Sequence, residues 1–343
     1  MGGDLSKSAA PPRPELLYGP RIGVPLLALA AHALAACSGA GTGELERVYI
    51  PPGSPFASVV DSLEAHDMVR APGLLRIYAR LDGSAENVKP GTYEFRSRTG
   101  WNSVMAKLTS GDVVLDTFVI PEGWDLPRIA RLLAPLGPAP VDTVLALLTE
   151  DGAAERWDVP GPTLEGYLYP ATYLLPVESG PEDAIAAAVR RYQQVWTPAR
   201  DSAAAAAGLD RREVVTLASI VEREARRREE LDTIAAVYRN RLRIGMALQA
   251  DPTVQYALGG AWRERLLNAH IDSVADSPYN TYRHPGLPPG PIGSPSERAV
   301  DASLHPADVP YLYFVARPDG SHVFTRTLQE HNQAIREIRR DRS

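Results

Sequence analysis

The chain has 343 residues, enough for two domains, and 44% of them are hydrophobic, as in an ordinary soluble globular protein. This composition argues against long disordered stretches. The formal net charge is −6, which argues against nucleic acid as a partner because proteins that bind phosphate backbones carry basic surfaces.

The N-terminal segment has the pattern of a targeting sequence. Residues 22–43 contain no charged side chain and are preceded by Arg13 and Arg21, as in a signal sequence or a membrane anchor with a basic flank. We therefore expect residues 1–21 to be a cytoplasmic segment or the n-region of a signal. The body of the protein should lie outside the cytoplasm, in the periplasm, tethered to the cell (inner) membrane.

Two kinds of tether fit this segment. Its strongly apolar part, residues 24–36, is shorter than the roughly 20 residues that a membrane span needs. The only cysteine in the chain, Cys37, follows Leu34-Ala35-Ala36 and resembles the lipidated cysteine of a bacterial lipobox. Lipidation of Cys37 and an uncleaved single-pass anchor both stay open, and the alternative for a lone cysteine is an incidental thiol.

The first folded unit is predicted at residues 46–112, after a flexible spacer at residues 39–46. Ser54 is expected to be an N-cap with Pro55 at the first helical position, which opens a helix through Met68. Further predicted elements are a helix at residues 73–81, a strand at 92–95 and a helix at 101–108 that ends at Gly111.

The larger unit, residues 113–343, is predicted to be mostly helical, with a β-hairpin near the C-terminus. The whole chain is therefore expected to be α+β. The predicted elements are a strand at residues 117–120, helices at 126–136, 141–148, 182–206 and 234–244, a hairpin at 311–324 and a terminal helix from 328.

One helix in this unit carries an acid on its apolar side. At 100° per residue, Leu217, Ile220, Val221 and Glu224 fall on one stripe, while Glu222 points nearly the opposite way. Glu224 is therefore predicted to be the buried acid. Desolvation raises the pKa of a carboxyl group, which keeps a proton available for general-acid catalysis near neutral pH.

A structural role for the same glutamate is the alternative. Glu224 could end the apolar stripe and pair with Arg227 or Arg228 one turn further on. The helix alone does not decide between these two interpretations.

Several blocks around this helix indicate a family. They are LEGYLYPATY at residues 164–173, LQADPTVQY at 248–256, SPYNTY at 277–282 and GLPPGPI at 286–292. Taken in this order with the helix and the hairpin, the chain resembles the endolytic murein transglycosylase family, also called YceG-like proteins, from about Val48 to the C-terminus. One departure is Ala171, where the family usually has Asp.

The resemblance implies an organisation and an activity. Residues 46–112 resemble the LysM-like domain of the family, whose role is glycan binding or spacing, and residues 113–343 resemble its catalytic domain. The family cleaves peptidoglycan glycan strands between MurNAc and GlcNAc and leaves a 1,6-anhydro-MurNAc end. One glutamate serves as acid and then as base. Glu224 suits this role, and Glu222 is the second candidate because the family pattern here is V-E-x-E.

Further residues are candidates for holding the substrate. Gln249, Asp251 and Thr253 could orient the glycan or the catalytic carboxyl, or Asp-Pro-Thr could simply start a helix. The remaining candidates offer aromatic faces, an amide or a carboxylate in the same cleft, and they are Tyr279, Asn280, Tyr282, Glu165 and Tyr169. Glu165 is the expected second carboxylate if the protein is a hydrolase.

No metal or organic cofactor is expected. The histidines at 270, 284, 305, 322 and 331 lack metal-ligand spacing such as HExxH, which argues against a zinc site. Ser219 has no GxSxG setting, which argues against a serine hydrolase. Expected partners are peptidoglycan strands, the membrane and peptidoglycan synthases, with the enzyme as a terminator of glycan elongation. Two alternatives stay open: a muramidase-type hydrolase, and a non-catalytic wall-binding scaffold suggested by Ala171.

Overall fold

The computed structural model describes residues 39–260 and 266–341, which divide into two compact units. The first ends at Val114 and the second begins at Leu115. These ranges contain fourteen α-helices and three two-stranded antiparallel sheets, the last of which is a hairpin near the C-terminus. The predicted α+β class and the C-terminal hairpin are confirmed.

The predicted anchor lies almost entirely outside this part of the chain. Cys37 and the apolar stretch before it are among the residues that the structure does not describe. Within the described ranges, no helix is both long and apolar enough to cross a membrane.

The first unit combines one sheet with three helices. Strand β1 (Ala40–Ile50) pairs antiparallel with β2 (Gly91–Thr99), with Val48 opposite Tyr93. Tyr93 is fully buried, and its hydroxyl donates to the Lys89 carbonyl oxygen at 2.7 Å. The helices are α1 (Phe56–Ala65), α2 (Pro72–Leu81) and α3 (Trp101–Ser110).

The prediction of a flexible spacer at residues 39–46 is wrong, because most of this segment belongs to β1. Its glycines accommodate an irregular strand: Gly41 and Gly43 have positive φ angles of 73° and 85°, and the register with β2 shifts between Thr42 and Leu45. A Cβ atom on Gly41 would lie 2.7 Å from the Cβ of Arg96. The glycine-rich composition therefore reflects a bulged strand that approaches its neighbour closely.

The first helix also differs from its prediction. Helix α1 begins at Phe56 with Pro55 at the cap position, and the Ser54 hydroxyl instead donates to the Pro51 carbonyl oxygen at 2.8 Å. Ser54 therefore closes the preceding turn and does not cap the helix. The helix ends before Met68 because Asp67 has a positive φ of 48°, which a right-handed helix excludes.

The second unit is mostly helical and contains two small sheets. Strand β3 (Leu115–Ile120) pairs with β4 (Ala171–Pro176), and β5 (Tyr313–Ala316) pairs with β6 (His322–Thr325). The helices are α4 (Leu126–Leu133), α5 (Val141–Thr149), α6 (Ala153–Arg156), α7 (Pro181–Val195), α8 (Pro198–Ala206), α9 (Arg211–Glu224), α10 (Leu231–Arg243), α11 (Asp251–Ala257), α12 (Asn268–Ser273), α13 (Glu297–Leu304) and α14 (Leu328–Arg340).

The single helix predicted at residues 182–206 is two helices, α7 and α8. Pro198 has no N–H with which to continue α7, and the Thr197 side chain accepts a hydrogen bond from the Arg200 N–H and caps α8. The local stop signal therefore outweighs the helix propensity of the alanine runs.

Helix α9 is the centre of the second unit. A capping box starts it: the Asp210 carboxylate accepts from the Glu213 N–H, and the Glu213 carboxylate accepts from the Asp210 N–H. Eight consecutive residues, 214–221, are buried, and α9 packs against α10 and α13. Its middle is thus buried on all sides, while Glu222 and Glu224, which follow this stretch, are half-buried.

Candidate active site

Glu224 is the last residue of α9, and its carboxyl group is held by a tyrosine. The Tyr238 hydroxyl, on the buried face of α10, donates to Glu224 Oε1 at 2.7 Å. The pKa of Glu224 is raised to about 7, chiefly by burial. The Tyr238 hydrogen bond and the charge of Arg241 lower this pKa, whereas the charge of Asp251 raises it further. A substantial fraction of this carboxyl is therefore protonated near neutral pH.

The alternative pairing of Glu224 with the following arginines is not formed. Arg227 pairs with Asp319 at 3.0 Å, and Arg228 pairs with Glu122 at 2.5 Å. Glu224 instead faces a cleft of about 370 Å³. The cleft is walled by α10, the start of α11, strand β5 and α14.

Three of the predicted substrate-binding residues share this cleft with Glu224: Gln249, Asp251 and Tyr282. The Tyr282 hydroxyl donates to Asp251 Oδ1 at 2.5 Å, so the aspartate is fixed beside the acid. Gln249 has a positive φ of 48°, and its N–H donates to the Thr281 carbonyl oxygen at 3.1 Å. The strained backbone at Gln249 is thus anchored to the neighbouring loop.

Arg241 is a cleft residue that the sequence interpretation missed. It is 7% exposed, its Nε donates to the Leu312 carbonyl oxygen at 2.7 Å, and its Nη1 donates to that of Leu248 at 2.6 Å. Its guanidinium also lies over the Tyr313 ring at 5.3 Å. This buried cation therefore joins β5 to the segment before Asp251 and places fixed positive charge near Glu224.

Tyr238 was missed as well, although a signal for it exists. It lies on the same apolar stripe of α10 as Ile234, and Arg241 follows it by one turn. The reasoning that selected Glu224, a polar group on an apolar stripe, applies equally to these two residues. His322 and His331 also line the cleft, and His322 Nδ1 lies 2.7 Å from Glu230 Oε2.

Glu222, the second candidate for the acid, has a different environment. Its Oε2 accepts hydrogen bonds from the Ser296 N–H at 3.0 Å and from the Ser296 hydroxyl. Ser296 is the N-cap of α13. Burial raises the pKa of Glu222, while the hydrogen bonds from Ser296 lower it. Glu222 therefore supports a helix start and does not line the Glu224 cleft.

Glu165 lies in a separate site. Its Oε2 accepts from the Leu126 N–H and from the Tyr256 hydroxyl, each at 3.2 Å, and it lines another cavity of about 330 Å³ together with Asp125. Burial raises the pKa of Glu165 to about 8. The structure thus does not bring this carboxyl together with Glu224 in one cleft.

The other four predicted binding residues pack inside the fold. Thr253 donates to the Ala250 carbonyl oxygen at 2.7 Å, and Asn280 Nδ2 donates to that of Ile271 at 2.8 Å. Tyr279 packs on the Tyr256 ring at 4.8 Å, and the Tyr169 ring lies under Arg191 at 5.7 Å. Thr253, Tyr279 and Asn280 shape the segments that carry Asp251 and Tyr282, whereas Tyr169 lies elsewhere in the core.

Ala171 does not line the Glu224 cleft. Ala171 opens β4 opposite Ile120 and packs against the core, away from the Glu224 cleft. Across residues 39–260 and 266–341, no group of three or more His, Cys, Asp or Glu side chains is placed to hold a metal ion.

A half-buried acid at a helix end, hydrogen-bonded by a tyrosine and facing an open cleft, is typical of enzymes that use a single general acid. The model of the YceG-like family matches residues 48–337. The chain belongs to the YceG-like family.

Named relatives agree with this membership. The chain is 32% identical over 303 residues to the endolytic murein transglycosylase of Bacillus subtilis strain 168, a match that covers 84% of this chain and 83% of the relative. It is 28% identical over 323 residues to the protein of the same name from Streptococcus pneumoniae serotype 2, and this match covers 84% of the chain and 58% of that relative.

A solved structure shares the fold. The crystal structure of a yceG-like protein from Listeria monocytogenes aligns with a TM-score of 0.59 at 31% sequence identity. The alignment covers 85% of this chain and 99% of the other.

Proposed function

We propose that this protein is an endolytic peptidoglycan lytic transglycosylase in which Glu224 is the catalytic acid and base. The enzyme class is that of its named relatives. The observation that carries the residue assignment is the half-buried Glu224 carboxyl, with its pKa raised to about 7 and its position fixed by Tyr238 at the edge of the cleft.

The chemistry needs one group that both gives and takes a proton. Protonated Glu224 donates its proton to the oxygen of the bond between MurNAc and GlcNAc, and the bond from C1 to that oxygen breaks. The carboxylate then accepts the proton of the C6 hydroxyl as its oxygen bonds to C1, which closes the 1,6-anhydro ring. A pKa near the working pH suits both steps, because neither protonation state is strongly disfavoured.

The neighbours of Glu224 support the reaction by fixing charge. Tyr238 holds the carboxyl in one orientation, and Arg241 supplies positive charge beside the negative charge that forms on Glu224 during the first step. Asp251, held by Tyr282, is placed to stabilise the positive oxocarbenium-like carbon.

A hydrolase is the second candidate, because Asp251 is a second carboxylate in the same cleft. In that mechanism Asp251, and not Glu165, would be the nucleophile or would activate water, and the product would have a reducing end. The transglycosylase is favoured by the names of the relatives.

Product analysis separates these alternatives. Purified glycan strands are digested with the wild type, with Glu224→Gln and with Glu222→Gln, and the chain ends are identified by mass spectrometry. We expect anhydro ends from the wild type, a loss of at least about 100-fold for Glu224→Gln, and retained activity for Glu222→Gln. Reducing ends would indicate the hydrolase, and undiminished anhydro product from Glu224→Gln would refute the assignment.

The cellular role is proposed from the N-terminal sequence. A tether at residues 22–43 would hold the enzyme at the outer face of the cell membrane, where it would cut nascent strands and terminate their elongation beside the synthases. Metabolic labelling with a fatty acid, compared between the wild type and Cys37→Ala, tests one form of this tether. Label that depends on Cys37 indicates a lipid anchor, and absence of label favours a single-pass anchor.

A further inference from the structure

A second, larger cavity of about 820 Å³ lies beside the Glu224 cleft and carries a cationic lining. Three arginines line it: Arg212 from α9, and Arg239 and Arg243 from α10. The loop of residues 286–289 completes the wall. We name this space the arginine cavity.

The arginine cavity has more positive than negative charge. Glu213 is its only acidic lining residue among those described, and its Oε2 already accepts from the Asp210 N–H. Arg239 donates to the Ala207 carbonyl oxygen at 2.7 Å, and Arg243 donates to Asn240 Oδ1 at 3.3 Å.

None of the three guanidinium groups forms an ion pair with a carboxylate among the described residues. Burial lowers the pKa of Arg239, an effect that the charge of Glu213 opposes. Three guanidinium groups against one carboxylate in a concave site favour an anion, and their planar donor geometry matches carboxylates. This local excess occurs in a chain whose net charge is −6.

The arginine cavity and the Glu224 cleft share their walls. On α10, Tyr238 and Arg241 line the cleft, whereas Arg239 and Arg243 line the cavity. Along the loop that follows α12, Tyr282 lines the cleft and residues 286–289 line the cavity.

The two sites flank α10. Arg239 and Arg243 lie about 100–140° around the helix axis from Tyr238, and a helix with its side chains is about 10–12 Å across. An extended peptide spans about 3.3–3.6 Å per residue, so a five-residue peptide attached to a sugar at Glu224 reaches about 17 Å.

We propose that the arginine cavity binds the carboxylates of the stem peptide that the cleaved glycan strand carries. The inference rests on the proposed function, since a stem peptide is present only if peptidoglycan is the substrate. Beyond that function, we infer that the enzyme prefers strands that still carry acidic stem peptides over strands from which these peptides have been removed.

The test compares two substrates. Glycan strands with intact stem peptides, and the same strands stripped by an amidase, are digested by the wild type and by Arg212→Gln/Arg243→Gln, and KM and kcat are measured for each. The matched control is Arg131→Gln/Arg190→Gln, which removes the same charge at exposed positions on α4 and α7. We expect the wild type and the control to have a KM about tenfold lower for intact strands, and this ratio to fall toward one in the cavity variant.

A binding assay keeps the inference independent of catalysis. A fluorescent stem peptide with at least two carboxylates is titrated into Glu224→Gln with and without the two cavity substitutions, and inorganic phosphate is added as a competitor. Binding that weakens about tenfold in the cavity variant supports the inference.

Three results would overturn it: equal KM for both substrates in the wild type, an equal rise of KM on both substrates in the cavity variant, or a peptide titration that shows no binding or binding that the cavity substitutions leave unchanged. Failure of the wild type to form anhydro ends from either substrate would instead contradict the proposed function, and the peptide titration would still decide the site.

Discussion

Tyr238 makes the contact that most directly controls the proposed acid. Its side chain is buried, packs edge-on against Phe314 at 5.8 Å, and has its hydroxyl 2.7 Å from Glu224 Oε1. This hydrogen bond lowers the pKa of Glu224 and opposes the effect of burial. Tyr238 is thus a positioning residue that also limits how far burial raises the pKa of Glu224.

Substitution Tyr238→Phe should change the pH profile of the enzyme. Without the hydrogen bond the pKa of Glu224 rises further, so the loss of activity at alkaline pH should move to higher pH. We also expect kcat to fall about tenfold, because the carboxyl loses its fixed orientation. The measurement is kcat against pH from 5 to 9. An unshifted profile with lower kcat would show that the hydroxyl orients Glu224 without setting its pKa.

Glu165 should make the stability of the fold depend on pH. Its pKa is about 8 in the folded protein, against an ordinary value of 4.5, so the folded state binds more protons than the unfolded state between these values. Its contribution to stability is present below about pH 4.5 and is lost as pH rises through about 8.

Substitution Glu165→Gln should remove this dependence. Over that interval, the free energy of unfolding of the variant should rise relative to that of the wild type by up to about 1.4 kcal/mol for each unit increase in pH. Urea unfolding at pH 5, 7 and 9 measures it, with Glu182→Gln at an exposed position on α7 as control. A free-energy difference that does not change with pH would mean that Glu165 is charged in the folded state at neutral pH.

At the scale of elements, the pairing of α9 with α13 separates the two neighbouring glutamates. Glu222 binds the Ser296 cap of α13, while Glu224 faces the cleft. Helical phase, read from the sequence, placed the two side chains on different sides of α9. It did not predict that α13 would enclose the Glu222 side, because this depends on a helix more than 70 residues away.

Removing the cap should affect stability more than catalysis. Substitution Ser296→Ala deletes the hydroxyl that accepts from the Ala299 N–H and leaves Glu222 with one hydrogen bond fewer. We expect a loss of about 1–2 kcal/mol in the free energy of unfolding, with kcat within about twofold of the wild type. Chemical unfolding and a glycan-cleavage assay on the same samples measure both. A large drop in kcat without loss of stability would point to a catalytic role for Glu222.

Local signals predicted some elements well and others poorly. The terminal helix starts at Leu328 as predicted, because Thr327 and Glu330 form a capping box that is visible in the sequence. Strand β4 was not predicted, since its partner β3 lies about 50 residues earlier and the pairing is a tertiary contact. In the same way, Thr253 bonds to Thr281 and Asn280 bonds to the Ile271 carbonyl oxygen of α12, so the burial of these two polar residues could not be read from sequence.

At the scale of the whole molecule, the order of the sequence blocks indicated the family, but the set of residues that line the cleft became visible only in the folded structure. Glu224, Gln249, Asp251 and Tyr282 come from segments spread over nearly 60 residues and meet in one cavity. Glu165 and Tyr169 belong to an equally characteristic block but support the core elsewhere. Motif membership therefore did not distinguish residues that line the cleft from residues that build it.

The proposed reaction uses only a glutamate and a hydroxyl of the substrate, so chelation should have no effect on it. In about 5 mM EDTA, we expect the rate of anhydro-end formation to stay within about 20% of the untreated rate. Activity that disappears with EDTA and returns on addition of a divalent cation would contradict the mechanism.

The position of Glu224 as the last residue of α9 has one further consequence. The backbone carbonyl groups at a helix C-terminus carry partial negative charge, which disfavours an ionised carboxylate there by about 0.3–1 kcal/mol. The helix dipole therefore adds to burial in favouring the protonated acid. The carboxylate therefore recovers a proton more readily as the C6 oxygen bonds to C1, and the acid is restored without a separate proton donor.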